Sequence, residues 1–84
     1  MKEKITSEVL ASLSQLGLKD QLEVLANVMA YTAVPYILEK DEVYPDNWDK
    51  FYAFVVKHKS QDNLALALLK QALTINVWLQ TSNK

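Results

Sequence analysis

Apolar residues recur along this chain every three to four positions, the spacing that places side chains on one face of an α-helix. Four segments carry this pattern, and residues that commonly begin or end helices separate them. A β-strand at residues 51–56, which are aromatic and β-branched, is the minor alternative. The pattern predicts an all-α fold, a compact bundle of four helices at about residues 6–16, 21–39, 47–57 and 61–81.

Local signals set the ends of the first two predicted helices. Thr6 is expected to cap the first helix, and Gly17 to end it in the left-handed conformation that glycine adopts without steric cost. Asp20 and Glu23 have the spacing of a capping box at the start of the second helix. Pro35 lacks a backbone donor, so we expect this helix to kink or break nearby. The stripe expected to face the core comprises Leu22, Leu25, Val28, Met29, Thr32 and Tyr36.

The fourth predicted helix is unusually apolar. We expect Asp46 or Asn47 to cap the third helix and Ser60 to cap the fourth. The fourth helix is apolar over an arc of roughly 220°, which is wider than one packing face. Such a helix is either central in its own bundle, shared with a second copy, or part of a groove for a foreign partner. For the shared case, the predicted homodimer interface comprises Leu66, Leu69, Leu73, Asn76 and Val77.

Asn76 stands within this apolar arc and needs a hydrogen-bond partner, because an unpaired buried amide costs on the order of 1–3 kcal/mol. The same residue of a second copy would satisfy it, as polar residues do in coiled coils. A loop carbonyl or a water molecule is the alternative partner. The identity of the partner therefore bears on whether the chain forms a homodimer.

Composition indicates one helical domain over residues 1–84 and removes several chemistries. Half of the 84 residues are hydrophobic, and the absence of cysteine excludes disulfides and thiolate sites. The net charge is −1 and every basic residue except the one histidine is lysine, which counts against direct binding of nucleic acid. The sequence has neither an apolar signal segment nor a stretch of roughly 20 apolar residues, so we expect a cytoplasmic protein without membrane association.

Groups that could perform catalysis are scarce. His58 is the only histidine, and its sequence context is typical of a helix end, where a basic side chain is favourable; a catalytic base is the minor alternative. One glycine and one histidine cannot form a glycine-rich phosphate loop or a zincin motif. We therefore expect no enzyme activity, no cofactor and no metal site.

Residues 39–52 form a segment that we call the acidic-aromatic segment, because it gathers half of the ten acidic residues among aromatic rings. Rings supply contact area and carboxylates attract a basic partner. The alternative is that the acids are ordinary loop and helix-start residues and the rings belong to the core. The predicted partner-binding residues are Glu39, Asp41, Glu42, Tyr44, Asp46, Trp48, Asp49 and Tyr52.

These observations predict a small adaptor or regulatory protein that binds another protein through the acidic-aromatic segment, with a homodimer as one arrangement. One alternative is an inhibitor of a nucleic-acid-handling machine, such as a mobile-element accessory protein, whose acids imitate phosphates. The near-neutral net charge argues against a strong mimic. Another alternative is a non-catalytic subunit of a larger assembly.

Overall fold

The computed structural model describes residues 1–81, and within that range the chain forms four α-helices and one short 3₁₀ helix without strands. This confirms the predicted all-α bundle, and the strand alternative at residues 51–56 is wrong because these residues lie inside the third helix. The elements are α1 (Lys2–Leu13), α2 (Leu18–Ala33), the 3₁₀ helix (Val34–Tyr36), α3 (Trp48–Lys57) and α4 (Leu64–Thr81).

Helices α2 and α4 form the centre of the fold, and α3 packs against α4. Ala26, Ala30 and Ala33 recur at helical spacing along α2 and are buried, so small side chains let the two helices approach closely. Helix α3 adds two phenylalanines to the same interior. The main core cluster comprises Ala30, Ala33, Val34, Ile37, Phe51, Phe54, Leu66, Leu69, Ala72 and Leu73.

Helix α2 ends at Ala33, which confirms an interruption near Pro35, but the predicted continuation of a kinked helix to residue 39 is wrong. Pro35 has no N–H to donate to the carbonyl four residues earlier, so the α-helical ladder cannot continue through it. The chain makes one 3₁₀ turn, Val34–Tyr36, and then leaves the helix axis at Ile37. Because the chain changes direction here, Tyr36 does not continue the core-facing stripe of α2.

The predicted ends of the first helix and the predicted start of the second are wrong. The first helix begins at Lys2, earlier than its sequence signals indicate. Thr6 lies inside α1, where its hydroxyl donates to the carbonyl of Lys2 at 2.8 Å instead of capping the helix. Gly17 is not left-handed: with φ −68° and ψ 165° it is the extended residue before α2. Asp20 therefore lies in the first turn of α2, where an acid is favourable, and does not cap it.

The third and fourth helices begin at asparagines. The side chain of Asn47 accepts a hydrogen bond from the Lys50 N–H at 2.9 Å, which confirms the predicted cap of α3. Asn63 makes the equivalent bond to the Leu66 N–H at 2.9 Å and opens α4. The predicted Ser60 cap is wrong because residues 58–60 are still completing the turn that follows α3.

Helix α1 lies at the edge of the bundle. Leu13 is its only buried residue, and its apolar face shares a shallow groove of about 300 Å³ with Val24 and Val28 of α2. Ile5 and Val9 line that groove but stay largely exposed. The expectation that Val28 faces the core is therefore wrong, because α4 occupies the alanine face of α2 instead.

Candidate functional site

Glu42, a predicted partner-binding residue, is turned into the molecule. Its side chain is 9% exposed, and both carboxylate oxygens lie 2.8 Å from Nε2 of His58. One of these oxygens also lies 2.9 Å from Nζ of Lys57, and the other accepts from the Glu39 N–H at 3.0 Å. Glu42 therefore attaches the loop after the 3₁₀ helix to the C-terminal end of α3 and is not available to a partner.

The environment of Glu42 keeps its carboxyl group ionised. Burial alone raises its pKa, but the hydrogen bond from the Glu39 N–H and the contacts with Lys57 and His58 outweigh that effect. Together they lower the pKa of Glu42 from 4.5 to about 2. The same contact raises the pKa of Lys57 above its ordinary value, chiefly through its hydrogen bond to Glu42. Both groups are charged at neutral pH.

His58 is 2% exposed and occupies the C-cap of α3, which confirms its predicted position at a helix end. Because the Glu42 carboxylate only accepts hydrogen bonds, Nε2 must be the donor. The side-chain amide of Gln61 lies 3.0 Å from Nδ1, and the ring packs on Phe54 with centroids 4.4 Å apart. The ring is thus enclosed by structural contacts, and its arrangement is that of a buried link between loop and helix.

The aromatic rings of the acidic-aromatic segment also serve the fold. The hydroxyl of Tyr44 donates to the carbonyl of Tyr31 at 3.0 Å. Trp48 and Tyr52 are half-buried against the core, and the Tyr52 hydroxyl donates to the carbonyl of Leu73 at 3.4 Å. The alternative expectation, that these rings belong to the core, describes Trp48 and Tyr52. The rings of Tyr44 and Trp48 are connected through Tyr31 and Phe51, so they extend the aromatic packing of the core.

The remaining acids of the segment are exposed. Asp46 forms an ion pair with Lys50 at 2.9 Å, which lowers its pKa, and Asp49 lies in the first turn of α3. Asp41 has φ 66°, a left-handed conformation that aspartate tolerates better than most residues. The Glu39 carboxylate is largely exposed, with one oxygen 3.5 Å from Nδ1 of His58. Glu39, Asp41 and Asp46 are thus the exposed carboxylates of the loop, and Asp46 is paired with Lys50.

The predicted homodimer interface is mostly enclosed within one chain. Four of its five residues contribute to the interior between α2, α3 and α4, so a second copy cannot reach them without opening the core. Val77 alone is exposed. We therefore correct the predicted interface: α4 is the central helix of its own bundle. The enclosed residues are Leu66, Leu69, Leu73 and Asn76.

A largely apolar concave surface lies between the 3₁₀ helix and the start of α4, and we call it the Tyr36–Leu64 groove. Its volume is about 570 Å³. Tyr36 is 78% exposed and Leu64 is 89% exposed, although both are large apolar residues. The expectation that Tyr36 lies on the core-facing stripe is wrong, because the 3₁₀ turn that contains Pro35 directs its side chain outward. The groove is lined by Thr32, Ala33, Tyr36, Asn63, Leu64, Ala65 and Leu68.

A second, more polar pocket opens between α2 and α4 beside the start of α3, and we call it the Asn76 pocket. Its volume is about 270 Å³. Asn76 is 6% exposed, and within residues 1–81 its Nδ2 has no hydrogen-bond acceptor. The predicted need of Asn76 for a partner is therefore not met by the described chain. The pocket is lined by Glu23, Ala26, Asn27, Trp48, Asn76, Leu79 and Gln80.

Among residues 1–81, no group of three or more histidine, cysteine, aspartate or glutamate side chains is placed to hold a metal ion. None of the helices in this range has the length and apolar character to cross a bilayer. Comparison with protein-family models, curated proteins and solved structures finds no match to this chain.

Proposed function

We propose that this chain is a protein-binding module and that the Tyr36–Leu64 groove holds an apolar side chain of its partner. The observation that carries this proposal is that Tyr36 and Leu64, two strongly exposed apolar residues, line the same groove. Exposed apolar residues are common singly, but their convergence on one concavity is typical of a binding site. A pocket that accepts an anchoring side chain is the usual centre of a protein interface.

The partner that fits is a short segment with an apolar anchor beside a lysine or arginine. Glu39 follows Tyr36 by three residues, and both Glu39 and Gln61 contact His58. Glu39 therefore lies beside the turn that leads into α4, whose first residues line the groove. The described residues that line the groove carry no charge of either sign, so the largely exposed Glu39 carboxylate is the group proposed to attract a basic segment and repel an acidic one.

This proposal keeps the predicted class of function but changes the surface. The acidic-aromatic segment contributes its exposed acids, Glu39 above all, while most of its rings support the fold. An acidic imitation of nucleic acid needs a row of free carboxylates. Glu42 and Asp46 instead bind lysines of the same chain. Protein binding is therefore the function that the distribution of charge supports better.

The test compares two exposed leucines, each of which is the first residue of a helix. The variant Leu64→Ser changes the groove, and Leu18→Ser is the matched control at the start of α2. Partners captured by the wild-type chain are identified by mass spectrometry, purified, and titrated against each variant by calorimetry. Removing a residue that anchors an interface typically weakens the free energy of binding by at least about 2 kcal/mol, which corresponds to an affinity about thirtyfold lower.

We expect Leu64→Ser to weaken binding by that factor and Leu18→Ser to leave it unchanged. Circular dichroism and thermal unfolding of both variants show whether the bundle is intact. Equal affinity of the two folded variants for a purified partner contradicts the proposal. The partner's binding segment must also carry an apolar residue next to a basic one, and an acidic segment in its place contradicts the proposed occupant.

A further inference from the structure

Helix α1 is sparsely packed against the rest of its own chain. Within residues 1–20 every residue except Leu13 is exposed, and α1 makes few contacts with the other helices. It is 12 residues long, and isolated helices shorter than about 12–15 residues are only marginally stable in water. Helices in folded proteins gain most of their stability by packing an apolar face. The described part of one chain supplies little of that packing to α1.

The exposed apolar residues of α1 border the shallow groove that this helix shares with α2, which we call the α1–α2 groove. Ile5 and Val9 line it from α1, and Val24 and Val28 line it from α2. All four are large apolar residues, and all four are exposed. Each pair is four residues apart, so its two side chains lie along one face of their helix. The full lining comprises Ile5, Glu8, Val9, Ser12, Leu13, Val24 and Val28.

The chain as a whole exposes more surface than a folded monomer of its size. Its accessible surface is 6272 Å², whereas a folded monomer of 84 residues exposes about 5,100 Å². Its radius of gyration is 14.0 Å, against about 12 Å for a compact domain of this length. The excess of about 1,200 Å² is larger than the roughly 800 Å² that each partner contributes to a stable interface. The uncovered area is therefore sufficient for a dimer.

We propose that a second copy of this chain covers the α1–α2 groove, with a two-fold axis that brings the same groove of each copy against the other. Such a contact needs one surface that is complementary to itself, and an apolar surface meets this requirement without paired charges. Among residues 1–81, Glu8 is the only charged residue that lines the groove, so little charge has to be buried. A net charge of −1 per chain also produces little repulsion between two copies.

A foreign partner is the less suitable occupant, because a charged segment finds few groups in this groove to recognise it. A second copy also brings α1 the packing that its own chain lacks. The α1–α2 groove shares no lining residue with the Tyr36–Leu64 groove, so this inference does not depend on the function proposed above.

Sedimentation equilibrium of the chain over a range of concentrations is the first test. We expect an equilibrium between monomer and dimer with a dissociation constant of about 10 µM or below. The variant Val28→Glu places a carboxylate in the contact twice per dimer, so it should raise that constant by at least about thirtyfold. Val77→Glu is the matched control, because Val77 is an exposed helical valine outside the groove. It should leave the constant unchanged.

Amide hydrogen exchange shows where the copies meet. If the second copy covers α1, its amides should exchange at least about tenfold more slowly when the chain is mostly dimeric than when it is mostly monomeric. The variant Leu64→Ser alters only the Tyr36–Leu64 groove and should leave the dissociation constant of the dimer unchanged. Failure of the proposed partner binding and failure of the proposed dimer are thus separate results.

Ile5→Glu, on the other side of the groove, is the second variant and carries the test if Val28→Glu does not fold. Circular dichroism identifies the folded variants, and we expect Ile5→Glu to weaken the dimer by at least about thirtyfold as well. A chain that remains monomeric up to about 1 mM overturns the proposal. A dimer that Val77→Glu or Leu64→Ser weakens as strongly as the groove variants overturns it too, because its contact then lies elsewhere.

Discussion

The hydroxyl of Tyr44 donates a hydrogen bond to the carbonyl oxygen of Tyr31, 3.0 Å away, at the point where α2 loses a helical donor. In an uninterrupted helix this carbonyl would accept from residue 35, but Pro35 has no N–H. The two rings are also nearly parallel, with centroids 6.2 Å apart. A side chain from the loop thus replaces the backbone donor that proline removed, and it ties residue 44 to α2.

The variant Tyr44→Phe tests whether the Tyr44 hydroxyl takes the place of the N–H that Pro35 lacks. It keeps the stacked ring but leaves the Tyr31 carbonyl without the hydroxyl, so we expect a loss of roughly 0.5–1.5 kcal/mol in the free energy of unfolding. Urea denaturation followed by circular dichroism measures this difference. Tyr36→Phe is the control, because its ring is exposed and a change near zero is expected. Equal effects of the two variants contradict this role for the Tyr44 hydroxyl.

The stability of the fold should depend on pH through Glu42. Its pKa in the folded chain is about 2, below the ordinary value of 4.5, so its contribution is present in full above 4.5. That contribution is lost as the pH falls from 4.5 towards 2, because the carboxylate must then be protonated next to Lys57 and His58. We expect this loss to be on the order of 1–3 kcal/mol, allowing for partial solvent screening.

Urea unfolding of the wild type and of Glu42→Gln at a series of pH values measures the dependence. The free energy of unfolding of the wild type should fall between pH 4.5 and 2, and the variant should lose this part of the slope. Glu8→Gln, at an exposed position on α1, is the control and should keep the wild-type profile. If the free energy of unfolding depends on pH in the same way for the wild type and Glu42→Gln, the Glu42 carboxylate is not coupled to Lys57 and His58.

The start of α4 provides a test of which residue caps it. Asn63→Ala should lower the free energy of unfolding by about 1 kcal/mol, because the Leu66 N–H loses its acceptor. Ser60→Ala should change it by only a few tenths of a kcal/mol, since Ser60 lies three residues before the helix cap. Both variants are compared by thermal and urea unfolding. A larger loss for Ser60→Ala than for Asn63→Ala would restore the earlier start predicted from the sequence.

The central position of α4 predicts how its leucines respond to truncation. Leu69 is fully buried within one chain, so Leu69→Ala should cost about 2–5 kcal/mol in the free energy of unfolding. The native mass measured by analytical ultracentrifugation should stay the same, because the cavity forms inside a single subunit. Val77→Ala, on the exposed side of the same helix, should have little effect on stability. If Leu69→Ala instead lowers the native mass while the chain remains folded, this face of α4 is a subunit interface.

Several features of this chain follow from its sequence because they depend on residues within about four positions of one another. Apolar spacing indicated four helices, the missing donor of Pro35 placed the break after Ala33, and Asn47 identified the start of α3. Helix starts do not follow from local signals in the same way, and the predicted caps Thr6, Asp20 and Ser60 are wrong. Helices α1 and α2 begin without any side-chain cap, so the local capping signals do not set their starts.

The surfaces were decided by the tertiary structure. Glu42 meets His58 across sixteen positions in the chain, and no local pattern predicts that a loop carboxylate will be enclosed there. Tyr36 shares helical spacing with core residues, yet one turn at Pro35 sends it to the surface beside Leu64. The sequence determined that Asn76 needs a partner, but the packing of α2 on α4 decided that no described residue supplies it. Side chains distant along the chain meet only where the helices place them, and that placement depends on every packing contact at once.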